Sequence, residues 1–194
     1  MNRAKWSTPV ILVFGVFVVA MLLFPGCAAK GTRVQIAEYK PQFTSNWNQY
    51  QDKSVYLMNF DNQANDTSIW YYYSRDNKFY YGADSTIHNY FWYAFNDAFV
   101  KAGIAVSNVD RPDLTAPAMW VTLRSITDEG YVVRVTAQKK GATVFIKDYT
   151  TEEALPAEED RSPQVMAQRA YSMTNRLIES ILGDMEFQTV ILQP

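Results

Sequence analysis

At 194 residues and 48% hydrophobic side chains, the chain is long enough for one compact domain with a substantial core and short for two. Its formal charge is -2, and without Arg3 and Lys5 of the N-terminal segment 16 basic side chains stand against 20 acidic ones, a balance opposite to that of nucleic-acid binders. One cysteine excludes an intramolecular disulfide, and one cysteine with one histidine excludes a zinc site of Cys and His ligands; no metal and no cofactor is expected.

Arg3 and Lys5 precede the uncharged run "VILVFGVFVVAMLLF", residues 10 to 24, which has the length of the apolar region of an export signal. The lone Cys27 follows, between Gly26 and Ala28-Ala29. Three readings compete. The run is a retained transmembrane anchor, since no charge lies between Trp6 and Ala29; it is a buried core helix; or it is an export signal ending at a point of lipid attachment. Phe24-Pro25-Gly26-Cys27 resembles the lipobox of bacterial lipoproteins, in which the cysteine is acylated and becomes the new N-terminus. Phe24 and Pro25 depart from the leucine and small residue usual there. The resemblance implies a signal peptide over residues 1–26, lipid attachment at Cys27, and a place in the bacterial cell envelope facing the periplasm. Ala28, where an aspartate would retain such a protein at the inner membrane, favours the outer membrane. A single acyl chain binds membranes only reversibly, and two or more hold a protein there, which is the physical use of a multiply acylated cysteine.

Residues 27–53 are polar, contain Pro41 and show no sustained period; they are expected to be the lipidated N-terminus and a flexible tether, with Val34 to Ala37 a candidate edge strand. Residues 54–194 are expected to form a single α+β domain. "SVYLMNF", residues 54 to 60, alternates as a strand does, and "DNQANDTS" reads as a loop. In "IWYYYSRDNKFYYGAD" two aromatic runs, Ile69 to Tyr73 and Phe79 to Tyr81, flank the turn formers Ser74 to Asn77, which predicts a hairpin. Alternation puts Trp70, Tyr72, Phe79 and Tyr81 on one side and Tyr71, Tyr73 and Tyr80 on the other. This segment is the one candidate binding surface, because tyrosine and tryptophan offer rigid apolar area with a polar tip. The competing reading is that its rings fill the core.

Ser85 is the predicted cap of a helix with Ile87, Tyr90, Phe91, Ala94, Phe95, Ala98 and Ala102 on its apolar face and Gly103 as its stop. "IAVSNV" reads as a strand and "DRPDLTAP" as a loop. From Ala118 the period becomes two, with turns at Asp128-Glu129-Gly130 and Lys139-Lys140-Gly141, which predicts a three-stranded antiparallel meander ending near residue 151. "EEALPAEEDR" reads as a solvated linker. Ser162-Pro163 opens a second helix with Met166, Ala170, Met173, Leu177 and Ile181 on one face and Gly183 at its end, and "FQTVIL" is expected to close the chain as a strand. The expected fold is α+β, an antiparallel sheet with two amphipathic helices packed on one face.

The order helix, strand, meander, helix after a lipobox, with "FVKAGIAV", "VTLRSITDEGYVVRVTAQ", "KDYTTE" and "LIESILGDM", resembles the YajG-like bacterial envelope lipoproteins over about residues 85 to 190. A looser likeness exists to the auxiliary lipoproteins of ABC-type lipid transporters. The resemblance implies a lipoprotein held to the membrane through Cys27, and it brings no active-site residues with it. The sequence offers no G-x-S-x-G and no glycine-rich phosphate loop, and its single histidine, His88, has no motif around it. The acidic pairs Glu152-Glu153 and Glu158-Glu159 are suited in principle to glycosidase-like chemistry. The expectation is a non-enzymatic binding or assembly module whose partner is an envelope protein, a lipid or a glycan. The alternatives are an envelope enzyme using carboxylates on glycan or lipid, and an auxiliary transporter component.

Overall fold

The computed structural model describes residues 31–65, 67–107 and 116–193; Cys27 and the segment expected to be an export signal lie outside them. In chain order the elements are β1 Thr32–Gln35, β2 Lys53–Leu57, β3 Asp61–Asn62, β4 Tyr71–Tyr73, β5 Phe79–Gly82, α1 Ile87–Ala102, β6 Ile104–Ser107, β7 Ala118–Ile126, β8 Gly130–Lys139, β9 Ala142–Glu152, α2 Pro163–Gly183 and α3 Met185–Leu192. The class is α+β as expected, with the strands gathered into two sheets and the helices packed on the larger one.

The larger sheet runs β6-β2-β7-β8-β9, with β3 also paired to β7. Its meander β7-β8-β9 is antiparallel, and the turn between β8 and β9 has Lys140 and Gly141 both at positive φ, as a tight two-residue hairpin requires. The expectation of a wholly antiparallel sheet is corrected at β2: it runs parallel to β6 on one side and to β7 on the other. Parallel neighbours need a crossover, and α1 provides it between β2 and β6. Alternation along the meander buries Val121, Leu123, Val133, Val135 and Ala137 against the helices, while Arg134, Asp148 and Ile146 point to the open face.

Helix α1 starts one residue later than expected: Thr86, not Ser85, is the cap, its hydroxyl accepting the Asn89 N–H at 3.1 Å. Gly103 stops it at φ 96°, and a Cβ there would meet the Gln51 side chain at 2.8 Å. Ser162 and Pro163 open α2 as the sequence predicts. The terminal "FQTVIL" segment is helical, correcting the expected strand. Asp184 ends α2 and caps α3, its carboxylate accepting the N–H groups of Glu186 and Phe187, and Phe187 and Ile191, four apart, enter the core together. Tertiary burial of that pair outweighs the β preference of Thr189, Val190 and Ile191.

A further correction concerns residues 31 to 53. They are no tether: Val34, Ile36, Tyr39 and Tyr50 are all at most 2% exposed. β1 joins the smaller sheet, and the following segment straps along α2, where Tyr39 Oη donates to Asn175 Oδ1 at 2.8 Å, Thr44 N–H to Glu179 Oε1 at 3.0 Å, and Tyr50 Oη to the Leu182 carbonyl at 2.6 Å. Burying a large apolar side chain contributes about 1.5 to 3 kcal/mol, so four such residues suffice to hold a chain that local pattern leaves undecided.

Candidate functional site

The aromatic run folds as the predicted hairpin, β4 against β5, and β1 adds to β5 in parallel to make a three-stranded sheet, β1-β5-β4. Registers Val34 to Tyr81 and Tyr81 to Tyr72 align a row of three side chains on the inner face, and all three are buried. Tyr72 and Tyr81 stack with centroids 4.7 Å apart and planes at 5°. Tyr72 Oη lies 2.8 Å from Tyr131 Oη, which reaches the Ala170 carbonyl at 3.4 Å, tying the small sheet to β8 and α2. Burial, reinforced by the neighbouring tyrosines, pushes the Tyr72 hydroxyl well above its ordinary value. Tyr81 Oη, equally buried, has no hydrogen-bond partner among the described residues.

The outer face carries the other set. Arg33, Tyr80 and Tyr73 are aligned across the three strands, and Gln35, Gly82 and Tyr71 form the next row. Tyr71 meets Tyr73 and Tyr80 edge to face at 5.3 and 5.5 Å, leaving three half-exposed rings in contact beside the exposed Arg33. At the open end of the hairpin Ser68 Oγ accepts the N–H groups of Trp70 and Tyr71, and the turn so formed leaves Ile69 70% and Trp70 58% exposed. The expected two-sided split is realised for Tyr72 and Tyr81 against Tyr71, Tyr73 and Tyr80. Phe79 is half-buried against the core, and Trp70 departs from the pattern because the strand begins only at Tyr71.

The hairpin tip is clamped. Ser74 Oγ donates to Asp76 Oδ1 at 2.8 Å, Lys78 N–H donates to the same oxygen at 3.0 Å, and Asn77 takes a left-handed φ of 57°. Burial pushes the Asp76 carboxyl up, but those two hydrogen bonds and the charges of Lys78 and Arg161 outweigh it and hold it below its ordinary 3.8. Arg75 reaches the β7-β8 turn, with its N–H on Asp128 Oδ1 at 3.0 Å and its guanidinium on Glu129 at 2.7 Å, while Lys78 pairs with Glu158. Arg169 of α2, only 8% exposed, donates to the carbonyls of Ala154, Glu153 and Asp128 at 2.8, 2.9 and 3.1 Å and pairs with Glu153 at 3.1 Å. The linker 152 to 161, expected as a solvated run, is thus anchored to α2 and to the hairpin. Sequence reading missed Arg169, and its signal was a charged residue placed inside the apolar stripe of α2.

Beside the clamp lies an open cavity of about 610 Å³ whose lining includes Arg75, Glu129, Glu152 and Glu153. Glu129 faces Arg75, and Glu153 is shared by Arg169 and Arg176. Of the two acidic pairs noted in the sequence, Glu153 and Glu158 are bound to cations; Glu158 does not line this cavity. His88 packs edge-on against Phe60 at 6.0 Å. Among the described residues no group of three or more His, Cys, Asp or Glu side chains is arranged to hold a metal, and no helix is long and apolar enough to cross a membrane. Cys27 lies outside the described residues.

No protein-family model and no curated protein sequence matches this chain. In fold it is similar to the crystal structure of protein XCC0632 from Xanthomonas campestris, described under the family DUF330, with a TM-score of 0.55 and 12% identity over 84% of this chain and 96% of that one. It is also matched to a crystal structure described as an uncharacterized protein, with a TM-score of 0.43 and 10% identity over 76% of this chain and 99% of that one. The likeness to XCC0632 is one of fold: an α+β chain of this kind recurs at very low identity.

Proposed function

We propose that this chain is an envelope lipoprotein of YajG-like type, anchored through acylated Cys27, facing the periplasm from the outer membrane, and acting as a non-enzymatic binding or assembly module through the outer face of its small sheet. The observation that carries the reading is the outward set Tyr71, Tyr73, Tyr80 and Trp70, displayed on a hairpin whose inner face and tip are locked into the domain. Rigid aromatic area on a fixed scaffold loses little conformational entropy on binding, which is what a recognition surface needs. The helix, strand, meander, helix order on which the YajG-like resemblance rests is present in the fold.

Two measurements test it. Globomycin, which blocks the lipoprotein signal peptidase, is expected to make an uncleaved precursor accumulate, and Cys27→Ala to abolish membrane fractionation; a Cys27→Ala protein that matures and fractionates normally overturns the anchor. Photocrosslinkers at positions 73 and 80 are expected to capture an envelope component in cells, and one at position 134, on the open face of the large sheet, is expected not to. Three glutamates lining one cavity support a second reading, carboxylate chemistry on a glycan or lipid. Glu152→Gln decides it: unchanged cell-envelope composition and unchanged turnover of glycan and phospholipid substrates exclude that role.

A further inference from the structure

The point where the chain enters the fold limits what the tyrosine face can touch. The first described residue is Gly31, whose φ is 106° and where a Cβ would lie 2.7 Å from the Lys78 carbonyl oxygen; Thr32 N–H donates to that same oxygen at 2.8 Å. Three residues separate Cys27 from Gly31, and the four Cα-to-Cα steps between them span at most about 14 Å however the chain is arranged. An expected tether of some two dozen residues would let the domain roam far from its anchor. The observed fold takes that freedom away, because β1 and the strap after it belong to the domain.

The strand reached first is also an edge of the small sheet, and its outward residues continue the tyrosine face. Arg33 is two residues beyond Gly31, Tyr80 is its register partner, and Tyr73 is the partner of Tyr80, the three spanning about 10 Å at the usual spacing of strands. Tyrosine and tryptophan concentrate at the headgroup level of membranes, and arginine pairs with phosphate there through a guanidinium on a long apolar stem. Arg33 is exposed, and Ile69 and Trp70 project from the end of the hairpin opposite the tip. The carboxylates bordering this face are tied back into the domain, Asp76 to Ser74 and Lys78 and Asp84 to Gln35, whose amide donates to it at 2.8 Å.

We infer that the occupant of the tyrosine face is the phospholipid surface in which Cys27 is anchored, with Arg33 on lipid phosphates, Tyr71, Tyr73 and Tyr80 at headgroup depth, and Ile69-Trp70 inserted at one end. This rests on the lipid-anchor reading. It fixes the orientation of the domain: the open face of the large sheet, with Arg134, Asp148 and Ile146, points away from the bilayer.

The test uses full-length protein matured in cells and reconstituted into vesicles of phosphatidylethanolamine and phosphatidylglycerol carrying a nitroxide on the headgroup. Cys27 is the only native cysteine, so once it is acylated an introduced cysteine is the one free thiol for a fluorophore. Intact mass reports acylation first. Quenching is then compared between labels at Tyr80→Cys and Ile146→Cys, with Arg33→Cys as a second site on the face should Tyr80→Cys disturb the fold by circular dichroism. Several-fold stronger quenching at the face positions than at position 146, reduced by Arg33→Glu at unchanged acylation, is the expected result. Acylated protein quenched equally at both positions, or not at the face, overturns the docking and leaves the anchor standing. A mass lacking the acyl chains overturns the anchor, and the docking with it.

Discussion

Tyr72 and Tyr73 are adjacent, identical in type and opposite in situation. Tyr72 is fully buried, stacked on Tyr81 and hydrogen-bonded to Tyr131, whereas Tyr73 stands half-exposed against Tyr71 on the outer face. The same contrast separates Tyr81 from Tyr80 on the partner strand. A run of aromatics in a strand is therefore two sets in different places: the inner set holds the small sheet to the domain, and the outer set lies on its half-exposed face. The pleat alone separates them.

The comparison breaks most visibly at Tyr72. Tyr72→Ala removes a buried ring and is expected to destabilise by about 4 kcal/mol, while Tyr73→Ala on the other face is expected to cost under about 1 kcal/mol. Urea unfolding of the two variants measures the difference, and similar midpoint shifts would refute the division of duties. Next in size is Arg169→Met, which leaves the carbonyls of Ala154, Glu153 and Asp128 without their donor and is expected to cost about 3 kcal/mol. Amide exchange should then rise in residues 152 to 161 and 74 to 78 before it rises in β8.

The inner pair itself is predicted to be unequal. Tyr72→Phe loses the bond to Tyr131 and is expected to cost about 1 to 1.5 kcal/mol, whereas Tyr81→Phe removes a buried hydroxyl that has no partner among the described residues and is expected to be neutral or to stabilise by up to about 1 kcal/mol. A double-mutant cycle between Tyr72→Phe and Tyr131→Phe should show coupling that Tyr81→Phe lacks. The smallest effect is the pH response of the tip. Because the folded Asp76 carboxyl lies below 3.8, its contribution to stability is complete above about that pH and is lost as pH falls through the lower folded value. NMR titration of the Lys78 amide should give a midpoint under 3.8, absent in Asp76→Asn; a midpoint at or above 3.8 would show that the tip is not held as described.

Much of the architecture was legible from local pattern. The period of three and four with Gly103 at its end marks α1, period two with Gly130 and Lys140-Gly141 marks the meander, and Ser162-Pro163 marks α2. Each of these has its cause within a few residues. The misread parts have their causes far away: residues 31 to 53 are held by partners some 130 positions on, at Asn175, Glu179 and Leu182, and Arg169 is neutralised and hydrogen-bonded by a linker that local composition reads as solvent-exposed. Of the candidate site, membership and alternation were readable, and which face lies inward was not.

By itself, then, the sequence determined the hairpin, the two long helices, the meander and the two-fold alternation of its tyrosines, because backbone sterics and side-chain period act locally. Only the tertiary structure decided that Tyr72 and Tyr81 turn inward, that β2 pairs in parallel on both sides, that Phe187 and Ile191 sit on a helix, and that the presumed tether is part of the domain. Those choices rest on burial against residues distant in the chain, whose free energy no short window of sequence contains.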